Sequence, residues 1–170
     1  MSDCSLFVYR YFLTRHFPAA GILIVYSYLY CMAYKRKTWQ EKLHNGHPPK
    51  VEITGKKFAD IPEGATMLVP SPGIVAAYIR NIPEGVHTSL QQMRKDLAAE
   101  YNAAFCCPIT SGIFLRIVAE AAYEEYLAGT HINKITPFWR MTDSKAAVIK
   151  KLTFGDRFIK EQRTSETLPF

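Results

Sequence analysis

The sequence predicts a mostly helical α+β fold, in which three packed helices precede an extended segment and a C-terminal helix. This is the order of a winged helix-turn-helix domain. Apolar residues recur at helical spacing in three consecutive segments after residue 70, and a residue that favours helix capping precedes each of them. A proline-bearing stretch at 135–141 separates them from a last helical segment. The 170 residues are 48% apolar and 21% charged, which excludes a disordered or fibrous protein.

The N-terminal segment differs in composition from the rest. Residues 17–34 carry no charged side chain over 18 positions, close to the minimum length that crosses a bilayer. A membrane anchor, a secretory signal and a start assigned upstream of Met32 remain open, and we treat residues 1–31 as an apolar leader. Without the leader, 19 basic and 14 acidic residues leave a net charge of +5. The expected location is cytoplasmic and nucleoid-associated, or membrane-anchored through the leader.

Residues 32–66 are predicted to form a basic arm or linker. A short basic helix around Trp39 is followed by strands at 51–53 and 66–69, with the turn Pro62-Glu63-Gly64 between them. His44 and His47 lie beside a glycine and two prolines, so we expect them in solvent rather than on a metal. We expect no metal and no cofactor.

The main domain is predicted to span residues 67–166, followed by a tail at 167–170. Ser71 and Pro72 favour a first helix start, with an apolar face on that helix. Thr88 or Ser89 begins a second helix that reaches residue 101 and exposes Arg94 and Lys95. It buries Leu90, Met93 and Leu97.

A third helix is predicted from Thr110 or Ser111 to about residue 128, where Gly129 ends it. Its expected apolar stripe is Ile113, Phe114, Ile117, Val118 and Ala121. Residues 135–141 would form the extended wing, and residues 155–163 the last helix.

The third helix carries the residue types of a DNA-recognition helix. Thr110, Ser111 and Gly112 are small or polar at its start, where free backbone N–H groups bind phosphate. Arg116 lies about a turn further on and either reaches DNA or pairs with Glu120. Several other basic residues could line one face: Arg94, Lys95, Lys134, Arg140, Lys145, Lys150 and Lys151.

Three motifs resemble those of the O6-alkylguanine-DNA alkyltransferase DNA-binding domain. They are Ile82-Pro83-Glu84-Gly85 followed by Thr88-Ser89, then Arg116-Ile117-Val118-Ala119-Glu120-Ala121-Ala122, then Thr136-Pro137-Phe138-Trp139-Arg140. Residues 69–163 follow the family in order and spacing, a little over half the chain. The combination is most similar to a divergent bacterial branch, and to alkyltransferase-like proteins that bind a lesion without transferring its alkyl group.

The resemblance implies a site as well as a fold. Thr88, Ser89, Thr110, Ser111, Gly112, Arg116 and Arg140 would contact DNA, and Leu90, Pro137, Phe138 and Trp139 would form the base pocket. Phe138 and Trp139 stand where the family has its reactive cysteine and activating histidine, and Leu90 stands at the tyrosine that drives base flipping. The implied partners are double-stranded DNA, with or without alkylated bases, and repair proteins.

Phe138 and Trp139 either fill the former alkyl pocket or stack on an extruded base. Strand alternation over the wing would turn one ring inward and the other towards DNA.

Two other functions remain open at this stage. Cys106 and Cys107 precede a predicted helix N-terminus, which lowers a thiol pKa, so either could serve as an alkyl acceptor in an active methyltransferase. Residues 17–34 could instead anchor a basic interaction domain at an anionic membrane.

Overall fold

In the computed structural model, which describes residues 36–44 and 46–170, a short hairpin precedes a mainly helical half. The helices and strands of the described residues are α1 (Trp39–His44), β1 (Lys50–Ile53), β2 (Thr66–Val69), α2 (Pro72–Arg80), α3 (Leu90–Glu100), β3 (Phe105–Cys106), α4 (Pro108–Leu127) and α5 (Arg157–Ser165). The α+β class is confirmed. No helix in this part of the chain is long and apolar enough to cross a membrane, and the leader at 1–31 lies outside it.

The hairpin predicted within the arm is confirmed. β1 and β2 pair antiparallel with Val51 opposite Leu68, and β3 pairs parallel to β2. α1 packs against α4. Residues 37–66 therefore lie in the same compact unit as the predicted main domain.

All five predicted helices are present among the described residues. The Ser71 hydroxyl accepts a hydrogen bond from the backbone N–H of Ile74, and Ser89 does the same for Gln92, so both N-caps are confirmed. Gly129, at φ +90°, follows the last turn of α4, a conformation that a side chain would strain.

The start and the buried face of α4 differ from the prediction. The helix begins at Pro108 rather than at Thr110 or Ser111, because proline suits the first helical position. Cys107 occupies the N-cap position before it. Ile113 is 51% exposed, whereas Leu115 and Val118 are buried. α4 contacts α1, α2 and α3, and its buried residues include the consecutive positions 118–122, so its burial does not follow one stripe.

The predicted wing at 135–141 is not confirmed. No strand forms there among the described residues, and the segment contains the 3-10 turn Phe138–Arg140 instead. Phe138 and Trp139 are both buried in an aromatic cluster with Phe154 and Phe158, with ring centroids about 6 Å apart. The prediction that one ring would point outward is wrong, because side chains of a 3-10 turn do not alternate as in a strand.

We expect Phe138→Ala to lower the free energy of unfolding by about 3–5 kcal/mol, since it leaves a cavity in a tightly packed cluster. Urea unfolding followed by tryptophan fluorescence measures the change. Phe58→Ala is the matched control, because that ring is 36% exposed and its loss should cost much less. Equal losses for the two variants would contradict this placement of Phe138.

Candidate nucleic-acid interface

An open groove of about 870 Å³ runs along the N-terminal half of α4. α1, the start of α3 and residues 141–151 form its other walls. Four of the predicted DNA-contact or pocket residues line it: Ser89, Leu90, Gly112 and Arg116.

Basic side chains line part of the groove. Among the described residues of its wall, Lys42, Arg116, Lys145 and Lys151 are basic, and Asp143 is the only carboxylate. Asp143 faces a further wall residue, His87, with 3.8 Å between its Oδ2 and the Nε2 atom of His87. An anion entering the groove would therefore meet more positive than negative charge.

Arg116 is held from two sides. Its guanidinium carbon lies 5.2 Å from the centre of the Trp39 ring, and its Nε lies 3.6 Å from a Glu120 carboxylate oxygen. Glu120 is 2% exposed and also accepts hydrogen bonds from the backbone and hydroxyl of Thr153. The pair with Glu120 is thus present, and the Arg116 side chain still keeps 35% of its surface exposed beside the groove.

Sequence reasoning missed the contribution of α1. Trp39 and Lys42 line the groove, and the Lys42 ammonium lies 3.7 Å from the centre of the Trp39 ring. The sequence did contain a signal: Trp39 is an aromatic residue within a short basic helix, which indicates a segment that packs against the domain rather than a free arm.

Gly112 lies inside α4 with open space on its outer side. A Cβ built at this position would meet no atom within 4 Å. Glycine in a helix interior costs about 1 kcal/mol relative to alanine. The fold therefore leaves room for a side chain at position 112.

The other predicted contacts at the start of α4 do not face the groove. Ser111 is buried, and its N–H and hydroxyl both donate to the carbonyl of Cys107. The prediction that Ser111 offers a free N–H is therefore wrong, because the helix begins three residues earlier. Thr110 is half-buried, and its buried Oγ1 has no partner among the described residues. Before α3, the N–H of Thr88 donates to the carbonyl of Arg140.

Residues 137–139, which were predicted to form part of the base pocket, belong to the core. Pro137, Phe138 and Trp139 are buried, which matches the core-filling alternative. The Arg140 guanidinium forms two hydrogen bonds of 2.8 Å to the Glu166 carboxylate and a third bond to the carbonyl of Ile82. Arg140 is therefore committed to this ion pair rather than free for DNA.

The predicted tail is anchored by an arginine that sequence reasoning did not single out. Arg163 is fully buried and donates to the carbonyls of Trp139 and Pro169. Burial lowers the pKa of Arg163, while the nearby charges of Asp143 and Glu166 oppose that shift. Residues 167–170 pack back onto the domain through this contact and through the buried Leu168.

The two cysteines lie away from the groove wall. Both are buried, and burial raises the pKa of Cys106 although Ser111 and Arg94 act in the opposite direction. Arg94, predicted to be exposed, is half-buried: it donates to the carbonyl of Cys106 and pairs with Asp60. The Nδ1 atom of His87 lies at hydrogen-bond distance, 2.9 Å, from the Arg140 carbonyl oxygen.

The predicted basic residues do not share one face. Lys145 and Lys151 line the groove, whereas Arg94 and Lys95 line a separate recess of about 540 Å³ next to Cys106. Within the described ranges, no group of three or more His, Cys, Asp or Glu side chains could hold a metal ion.

Comparison of the chain with protein-family models, with curated proteins and with solved structures finds no match in any of the three. The resemblance to the alkyltransferase domain therefore depends on the quoted sequence motifs.

Glu166 gives a prediction about acid stability. Burial alone would raise the pKa of Glu166, but hydrogen bonds from Arg140, Trp139 and the N–H of Gly85, with the Arg140 charge, lower it overall. A carboxylate with a lowered pKa in the folded state stabilises the protein above its ordinary pKa of about 4.5. That stability is lost as the pH falls through this value towards the folded-state pKa.

We expect Glu166→Gln to lower the free energy of unfolding by about 2 kcal/mol at pH 7, with the difference from wild type shrinking on acidification. Urea unfolding at a series of pH values measures this. Glu161→Gln, which removes an exposed pair with Arg157, should change little. A constant difference at every pH would show that the Glu166 charge is not responsible.

Proposed function

We propose that the protein is a bacterial, non-enzymatic, double-stranded-DNA-binding protein of the alkyltransferase-like type, which senses alkylated guanine or other damage for repair. The observation that carries the proposal is the cationic groove along α4. The groove brings Ser89, Leu90, Gly112 and Arg116 together with three lysines from α1 and residues 141–151.

The charge of the groove supports a polyanionic ligand. Lys145 and Lys151 are exposed, and no carboxylate among the described residues forms an ion pair with either of them. Such lysines can neutralise backbone phosphates and release counterions, which gives salt-dependent affinity. Arg116, oriented by Trp39 and Glu120, is restricted in its motion before a ligand arrives, so less entropy is lost on binding.

The apolar part of the groove supports contact with a duplex rather than with free phosphate. Ile109 and Ile113 are 55% and 51% exposed, one turn apart on α4, and both line the groove beside Gly112. Proteins that bind the minor groove insert such apolar side chains between base steps and bend the DNA. The open space at Gly112 would let the sugar-phosphate backbone approach α4.

The helix order supports a helix-turn-helix of winged-helix type with α4 as the DNA-facing helix. With Phe138 filling the position of the reactive cysteine, the protein would bind the lesion without altering it. The DNA-bound protein would then recruit repair proteins at the nucleoid.

Binding measured by fluorescence anisotropy over a salt series tests the proposal. Duplexes of one sequence with and without O6-methylguanine are the ligands, and we expect tighter binding to the alkylated duplex. Absence of binding to both at low salt would overturn the proposal. Equal affinity would leave a DNA-binding protein without lesion specificity.

The groove lysines give a quantitative prediction. Lys145→Ala/Lys151→Ala should weaken binding about tenfold and reduce the slope of log K against log salt by about 2, since two phosphate contacts are lost. Lys56→Ala/Lys57→Ala is the control with the same charge change, because neither lysine lines the groove. Equal effects of both double variants would place the DNA elsewhere.

A variant with added bulk at position 112 distinguishes direct contact between DNA and α4 from general electrostatic attraction. Gly112→Leu keeps the net charge and adds a side chain where the fold leaves space, so stability should be maintained while DNA affinity falls. Thermal unfolding checks the first expectation and anisotropy the second. Unchanged affinity would show that DNA does not approach α4.

The proposal also predicts that no alkyl group is transferred. Intact mass after incubation with alkylated DNA should be unchanged, because Cys106 and Cys107 are buried and the raised pKa of Cys106 disfavours its thiolate. A gain of one methyl group, lost in Cys106→Ser or Cys107→Ser, would establish methyltransferase activity instead.

A further inference from the structure

In the part of the chain that the structure describes, strand β1 has an unpaired edge and exposed apolar side chains. Among the residues that the structure describes, β1 pairs with β2 alone. Val51 lies opposite the fully buried Leu68, so Val51 and Ile53 point to the core side of the sheet. They are nevertheless 44% and 73% exposed, which means that the core ends before it covers them.

The hydrogen bonds of the sheet show which backbone groups of β1 point outward. The N–H of Thr54, next to the hairpin turn, donates to the carbonyl of Ala65. Because backbone groups alternate in direction along a strand, the N–H and C=O groups of Lys50 and Glu52 point towards β2. The N–H of Cys107 donates to the carbonyl of Leu68, so the backbone groups of Leu68 point towards β3. The backbone groups of Met67 and Val69 then point towards β1, which is consistent with this alternation. The N–H and C=O groups of Val51 and Ile53 therefore point away from the sheet.

The sequence of β1 is complementary to itself in one antiparallel register. With Val51 opposite Val51 of a second copy, Lys50 of each chain lies opposite Glu52 of the other. Centring the pair on Glu52 would instead place the two glutamates opposite each other, which is unfavourable. Lys50 and Glu52 already form an ion pair within one chain, so both charges lie on the same face of the strand.

We propose that β1 is a dimerisation edge, at which two copies of this chain pair antiparallel about Val51 and join their sheets. The pairing forms reciprocal bonds between the two Val51 residues and donates each Ile53 N–H to the carbonyl of Pro49 in the second copy. Pro49 has no N–H, so the ladder ends there. The interface is short, and we therefore expect dimerisation to depend on protein concentration.

Charge-swapped variants of the full chain test the proposal. Lys50→Glu places two pairs of glutamates opposite each other, and Glu52→Lys does the same with lysines, so each variant alone should self-associate about tenfold more weakly. Mixing the two variants in equal amounts restores opposite charges in the heterodimer alone. Sedimentation velocity over a concentration series measures all of these states.

Wild-type dimers, weaker self-association of each variant and recovery in the mixture are the expected results. Lys50 and Glu52 have side chains 62% and 45% exposed, so neither change should impair folding, and circular dichroism checks this. A wild-type chain that stays monomeric at high concentration overturns the proposal. So does a dimer that both variants leave intact, which would place the interface elsewhere.

Discussion

The buried guanidinium of Arg163 holds the C-terminal part of the fold together. A buried cation is costly unless hydrogen bonds satisfy it, and the carbonyls of Trp139 and Pro169 do so here. The turn that carries Trp139 also presents the carbonyl of Arg140 to the N–H of Thr88 and to the ring of His87. The position of the α3 start at the groove therefore depends on a contact inside the core.

Burial of residues 135–142 decides which chemistry the domain can support. Phe138 packs among aromatic rings where the resembling family would place a reactive thiol, so that position is filled rather than open. The two thiols in the part of the chain that the structure describes, Cys106 and Cys107, are buried as well, and Cys106 has a raised pKa. What the surface offers instead is a groove suited to binding, formed largely by elements that precede and follow this buried segment.

Net charge overstates the number of cations that are available for a ligand. Arg94, Arg140, Arg157 and Lys160 are each paired with a carboxylate. Lys42, Lys145 and Lys151 line the groove with no such partner among the described residues, and Arg116 is shared with Glu120. Their clustering, more than the total of +6, supports a nucleic-acid partner.

The sequence by itself determined the helices, because capping residues such as Ser71 and Ser89 and the glycine after α4 act locally. It also determined the hairpin, and four of the residues that it singled out line the groove. Only the tertiary structure decided that Phe138 and Trp139 are both buried, that Arg140 is paired, and that α1 completes the groove. These outcomes depend on residues far apart in the chain, such as Arg140 with Glu166 and Trp39 with Arg116, and no local pattern encodes such contacts.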